Sequence, residues 1–165
     1  SRFASLAGGS EGRVVIISTA SSLGDEATDL YRSLFGQLGI PAVIGVRPIT
    51  REEANDPALA AQLNDATGIF MTGGNQLRLS SVIGGTALGK AIIERHRHGT
   101  IVAGTSAGAS AIRSHMVAFG TRGPTPKQRM TQMSAGLGLL PGVLTDQHFE
   151  QRKRIGPALA PISLG

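Results

Sequence analysis

Four short apolar runs, separated by stretches of helical periodicity, constrain this chain more than any other feature. Val14-Val15-Ile16-Ile17 is a β-branched run that opens after Gly12 and closes on the polar Ser18-Thr19-Ala20-Ser21-Ser22. A continuous run of this length reads as a strand buried on both faces, the pattern of a parallel sheet. Ala42-Val43-Ile44-Gly45-Val46, Gly68-Ile69-Phe70-Met71 and Thr100-Ile101-Val102-Ala103 repeat the pattern. Between the first two, Ala27, Leu30, Leu34, Phe35 and Leu38 recur at helical spacing, and Gly39 stands where a helix would end. Residues 52–66 read as a weaker helix restarted at Asp56-Pro57, and residues 75–83 and 88–98 as two more, split by Gly84-Gly85.

Strand and helix in alternation require crossover connections. The fold class is therefore α/β, a doubly wound, mostly parallel sheet flanked by helices. Functional loops in such sheets lie beyond the carboxyl ends of the strands. The loops after Met71 and after Ala103 fall there, and both are rich in glycine. From Met116 the pattern loosens. Met116-Val117-Ala118-Phe119 reads as a short strand, residues 120–131 as a polar surface loop holding Pro124 and Pro126, and Val143-Leu144-Thr145-Asp146 as a fifth strand.

A length of 165 residues suits one domain, and no internal repeat or linker divides residues 1–165. The 41% apolar and 16% charged content is that of a globular chain. There is no cysteine, which excludes disulfides, thiolate metal sites and a cysteine nucleophile; no metal and no cofactor is expected. The net charge of +5 is spread along the chain and aromatic residues are 4%, so a nucleic-acid partner is not expected. No run approaches the ~18 apolar residues of a membrane span, so no membrane partner is expected either. The first residues lack the apolar stretch of a secretory signal, and the chain does not begin with Met. A cytoplasmic location is the expectation, with secretion compatible.

Gly104-Thr105-Ser106-Ala107-Gly108 matches G-x-S-x-G between an expected strand and an expected helix. The physical reason for the pattern is steric. A serine on a sharp strand-to-helix turn is held clear of the backbone, in a strained conformation that only small neighbours tolerate. The helix start adds N–H groups where an oxyanion would develop. A plain glycine-rich turn is the competing reading, because 23 glycines are present. A serine nucleophile needs a base. Of the four histidines, His96 and His98 lie at a basic helix end suited to capping, and His115 at a polar helix end. His148, in Asp146-Gln147-His148-Phe149, directly follows an expected strand and so shares the edge of Ser106, though a structural histidine would read the same way. Gly73-Gly74-Asn75-Gln76 lets backbone N–H groups approach an anion or a carbonyl, or simply starts a helix with Asn75 as its cap.

Together, Thr72-Gly73-Gly74-Asn75-Gln76-Leu77-Arg78-Leu79, Gly104-Thr105-Ser106-Ala107-Gly108-Ala109 and Asp146-Gln147-His148-Phe149 resemble the cyanophycinases in order and spacing. These are dipeptidase-E-like serine peptidases with a fold related to class I glutamine amidotransferases. The resemblance spans residues 3–155. It implies hydrolysis of cyanophycin, a poly-aspartate backbone carrying arginine side groups, to β-aspartyl-arginine dipeptides. By matched position it implies Ser106 as nucleophile, His148 as base, and the backbone N–H groups of Gly74 and Ala107 as the oxyanion hole. Gln76, Asp146, Gln147, Arg152 and Arg154 match substrate-recognition positions. Asp146 suits a guanidinium and Arg154 a carboxylate.

The chain departs from the pattern at three points. Where relatives carry the triad Glu, residues 120–126 hold no carboxylate, and past Ser106 only Asp146 and Glu150 are acidic. Orientation of His148 by Asp146 and a Ser–His dyad both stay open. Loss of an orienting acid costs on the order of 10⁴ in rate, so impaired turnover is an expectation. The chain also opens in the helix after the family's first strand and stops soon after the histidine, which implies a family fold lacking that strand and the C-terminal strands. A homodimer is compatible with the resemblance. The alternatives are a related aspartyl dipeptidase, and a non-catalytic binding domain that has lost the triad acid.

Overall fold

A computed structural model describes residues 1–120 and 131–140, and the side chains of residues 1–116 and 134–140. The chain opens with helix α1 (Arg2–Leu6), capped by the Ser1 hydroxyl, and a 3₁₀ turn at Gly9–Glu11. Then follow β1 (Arg13–Ile17), α2 (Asp25–Gln37), β2 (Ala42–Val46), α3 (Arg51–Ala54), α4 (Pro57–Ala61), β3 (Gly68–Met71), α5 (Gln76–Ile83), α6 (Ala87–Arg97), β4 (Ile101–Gly104) and α7 (Ala107–Ala111). Among the described residues, β1 to β4 form a parallel sheet in the order β2-β1-β3-β4. The chain moves outward from β1 to β2, then crosses back over β1 to β3. The order reverses between β1 and β3, which makes that pair the switch point of the sheet.

The strands earn their place by burial on both faces. Because side chains alternate along a strand, Val14, Ile16 and Phe70 face one side and Val15, Ile17, Ile69 and Met71 the other. The first face packs on α1 and α2 through Ala4, Ala7 and Phe35. Phe3, Tyr31, Phe35 and Phe70 form one ring cluster there, with centroids 4.8–6.2 Å apart. Tilted and edge-on ring pairs of this kind add about 0.5–1.5 kcal/mol each beyond burial. The second face packs on Ala54, Leu63, Leu79, Ile83, Leu88, Ile92 and Ala107, contributed by α3, α5, α6, α7 and the turn after α4. Helices therefore cover both faces, as the alternation of elements requires.

Three details differ from the sequence expectation. The weak helix over residues 52–66 is two short helices, broken where Asp56 is extended and its carboxylate accepts from the Ala58 N–H at 2.8 Å. Proline at the first position of α4 has no N–H to bond backwards, so the break is complete. His115 is exposed and opens a strand, β5 (His115–Gly120), rather than ending a helix. Thr131, assigned to a surface loop, begins β6 (Thr131–Ala135), which pairs antiparallel with β5 through a register shift between Val117 and Phe119. The pairing partner lies across a polar stretch, so local pattern carried no sign of it. The expected fifth strand at residues 143–146 lies outside the described residues.

Candidate active site

The parallel register places four strand ends in one row. Ile17 pairs with Val46 on one side and Met71 on the other, and Met71 pairs with Gly104. Loops leaving those residues must emerge at one rim, with adjacent strands about 4.8 Å apart. Three of them converge there.

Ser106 sits at the turn from β4 into α7 with φ 50° and ψ −116°. Among the described residues it is the one non-glycine with a positive φ. That backbone region belongs to glycine, and an L-residue held in it stores roughly 1–3 kcal/mol of strain. Its neighbours explain how the turn closes. A Cβ on Gly104 would come within 2.5 Å of the Gly108 carbonyl carbon, and one on Gly108 within 2.2 Å of the Met71 oxygen. Both glycines are thus demanded by backbone passing against backbone. The Thr105 N–H donates to the Met71 carbonyl at 3.1 Å and ties this turn to the end of β3. Ser106 is the N-cap residue of α7, yet its hydroxyl does not cap the helix. Ala107 is the first helical residue, so its N–H has no acceptor within the helix.

The loop after β3 lies against this turn. A Cβ on Gly73 would meet the Ser106 Cβ at 3.2 Å. Gly74 has φ 139°, and a Cβ there would fall 2.0 Å from the Ala20 oxygen. Only glycine lets the chain pass between Ser106 on one side and the β1 loop on the other. The Asn75 N–H then donates to the Ala20 carbonyl at 2.8 Å, while the Asn75 side chain caps α5 by accepting from the Arg78 N–H at 3.0 Å. Gln76 is the first residue of α5 and lines a cleft of about 540 Å³ with Ala20, Ser22, Gly74 and Arg78.

The third wall, residues 18–22, was read from sequence only as the polar end of a strand. Its place at the switch point makes it part of the site. It is fixed by buried hydroxyls: Ser18 Oγ and Thr28 Oγ1 share a hydrogen bond of 2.7 Å, and Thr19 Oγ1 donates to the Pro48 carbonyl at 3.0 Å. Thr72, at the end of β3, is 1% exposed, and its hydroxyl has no hydrogen-bond partner among the described residues. Arg78 was likewise passed over, although it stands two residues after Gln76 in the same cleft.

The structure brings Ser106 and Ala107 together with the Gly73-Gly74-Gln76 loop. Asp146, Gln147, His148, Arg152 and Arg154 lie outside the described residues. His96 and His98 are engaged locally at the end of α6: Nδ1 of His98 is 2.8 Å from the Glu94 carbonyl, and Nδ1 of His96 is 3.4 Å from that of Thr100. The expected capping role is displayed by His98, whose partner is an α6 carbonyl, whereas His96 meets a carbonyl beyond the helix end. Among the described residues no helix is long and apolar enough to cross a membrane.

Comparison with known proteins agrees with this architecture. Over 158 residues, 95% of the chain, it is 37% identical to a cyanophycinase of Trichormus variabilis, covering 53% of that protein. A cyanophycinase of Geminocystis herdmanii is 37% identical over 165 residues, with 60% of its length covered. The chain therefore spans between half and two thirds of the length of these relatives. Among solved structures, a peptidase from an acI-B1 Actinobacterium superposes with a TM-score of 0.67 at 24% identity, covering 92% of this chain and 61% of that one, a likeness of fold. The model of peptidase family S51 matches residues 1–160. A parallel α/β sheet with a strained serine between two glycine turns, and a family match along nearly its whole length, place the chain in peptidase family S51.

Proposed function

We propose that this chain carries the serine-bearing part of a cyanophycinase-like peptidase, which hydrolyses a poly-aspartate backbone bearing arginine groups to β-aspartyl-arginine dipeptides. The observation that carries the reading is the backbone of Ser106. A strained turn persists where the surrounding structure over-determines it, and such turns cluster at sites of function. Here the strained serine stands at the carboxyl-end rim of the sheet, after β4, against a glycine loop whose Gly74 lines a cleft.

In this reading Ser106 Oγ attacks the scissile carbonyl carbon and His148 accepts its proton. The N–H groups of Gly74 and Ala107 donate to the oxyanion of the tetrahedral intermediate. The C–N bond then breaks as His148 returns the proton to the leaving amine. Water, deprotonated by the same imidazole, cleaves the acyl-serine and regenerates the hydroxyl. Gln76, Asp146, Gln147, Arg152 and Arg154 are assigned to substrate recognition. A cytoplasmic setting and a homodimer belong to the same reading as expectations.

The test is release of β-aspartyl-arginine from cyanophycin by the parent and by Ser106→Ala. The expected outcome is abolished release with the fold retained, together with fluorophosphonate labelling that requires both Ser106 and His148. Equal cleavage by Ser106→Ala would falsify the assignment. Parent protein that neither cleaves nor labels would favour a binding domain instead.

A further inference from the structure

A second cleft, about 760 Å³, lies on the other side of the α5 N-terminal turn from the first. Asn75, Leu77 and Arg78 line both, so these three residues are the wall between them. Beyond that wall the second cleft is bounded by Ser81, Gly84 and Ser134. Its volume is in the range of pockets that hold small molecules or single units of a polymer.

The chemistry of the lining is one-sided. No Asp or Glu lines either cleft among the described residues, and Arg78 is the charged residue common to both. A second guanidinium, that of Arg51, is anchored at the far edge, where Nη1 donates to the Ser81 carbonyl at 2.7 Å and to the Gly84 carbonyl at 2.9 Å. The hydroxyls of Ser80 and Ser81 are spent on the Leu77 and Arg78 carbonyls, both at 3.1 Å. The Arg78 guanidinium, on a half-buried residue, makes no hydrogen bond or ion pair with any described residue. A cation in a groove that no described carboxylate lines favours anionic groups, and a guanidinium fork matches a carboxylate in two hydrogen bonds.

We propose that the second cleft is a subsite for a neighbouring unit of the peptide substrate, and that Arg78 binds a free carboxylate where the chain crosses from one cleft to the other. This inference rests on the peptidase reading above. In a polymer of β-aspartyl-arginine units, the arginine α-amino group is consumed in the amide and its carboxylate remains free, once per unit. Spaced carboxylates of that kind are what a cation on the dividing wall of two adjacent clefts selects. Arg78 is then a specificity residue, distinct from the groups that act at the scissile bond.

The experiment is calorimetric titration of a three-unit β-aspartyl-arginine oligomer, and of the same oligomer with its arginine carboxylates amidated, into full-length Ser106→Ala protein. The single β-aspartyl-arginine dipeptide is the third probe. The free-acid oligomer is expected to bind about tenfold or more tighter than the amidated one, an advantage that Arg78→Ala removes and Arg78→Lys restores in part. Ser81→Trp, which fills the second cleft, is expected to weaken the oligomer about tenfold and leave the dipeptide unchanged. Equal affinity for acid and amide, no change with Arg78→Ala, equal weakening of oligomer and dipeptide by Ser81→Trp, or no binding at all would each overturn the proposal. Failure of the peptidase reading is separately visible: the Arg78-dependent preference would persist while the parent released no dipeptide.

Discussion

Replacing Ser106 by glycine and, in parallel, by alanine isolates the strain at the turn from the chemistry of the hydroxyl. Both variants lose the same hydroxyl, and with it whatever that group bonds. They differ only in whether a Cβ remains at φ 50°, ψ −116°. The strain that glycine relieves is roughly 1–3 kcal/mol. Against it stands the greater freedom of glycine in the unfolded chain, which costs about 0.4–1 kcal/mol relative to alanine. The balance runs from near zero to about 2.5 kcal/mol in favour of glycine, with a central value of about 1 kcal/mol. For a domain of 150–250 residues, 1 kcal/mol moves the unfolding midpoint by about 2–4 °C. The assay is thermal unfolding of both variants by circular dichroism, with urea denaturation as an independent measure. Ser106→Gly is expected to melt above Ser106→Ala, and neither is expected to release dipeptide. A glycine variant that melts below the alanine variant would refute the claim that the fold stores energy at this residue.

Three further outcomes follow from the same geometry. Gly108→Ala drives a Cβ to 2.2 Å from the Met71 oxygen and is expected to cost about 3 kcal/mol or more, read as a lowered urea midpoint. Gly36→Ala, in the last turn of α2 with open space around the added carbon, is the control and is expected to stabilise by about 0.4–1 kcal/mol; loss of stability there would count against the steric argument. Thr72→Val removes a buried hydroxyl that has no partner among the described residues and is expected to raise stability by about 1 kcal/mol, whereas a drop of that size would mean the hydroxyl is hydrogen-bonded in the folded protein.

Much of the fold is visible in the chain because its signals are local. β2 and β3 have the bounds that their apolar runs suggest, and Asn75 and the glycine after α2 act as the cap and stop their types imply. Hairpin pairing is harder to see. β6 begins at Thr131, across a polar stretch, and its partner β5 was read without its mate. Residue 115 went wrong for a related reason: a polar end looks alike on a helix and on a strand.

The candidate site divides in the same way. Gly104, Gly108 and Gly74 stand out in sequence because close backbone approach admits no other residue type, so the constraint is written into composition at each position. The strained serine could be expected from those residues alone. What only the folded chain decides is which loops meet. Residues 18–22 become a wall of the site because β1 pairs with β3 and the sheet order reverses between them, and Arg78 gains meaning because α5 separates two clefts. Strand order follows from packing two apolar faces against helices distant in sequence, a non-local balance that no short window of residues contains.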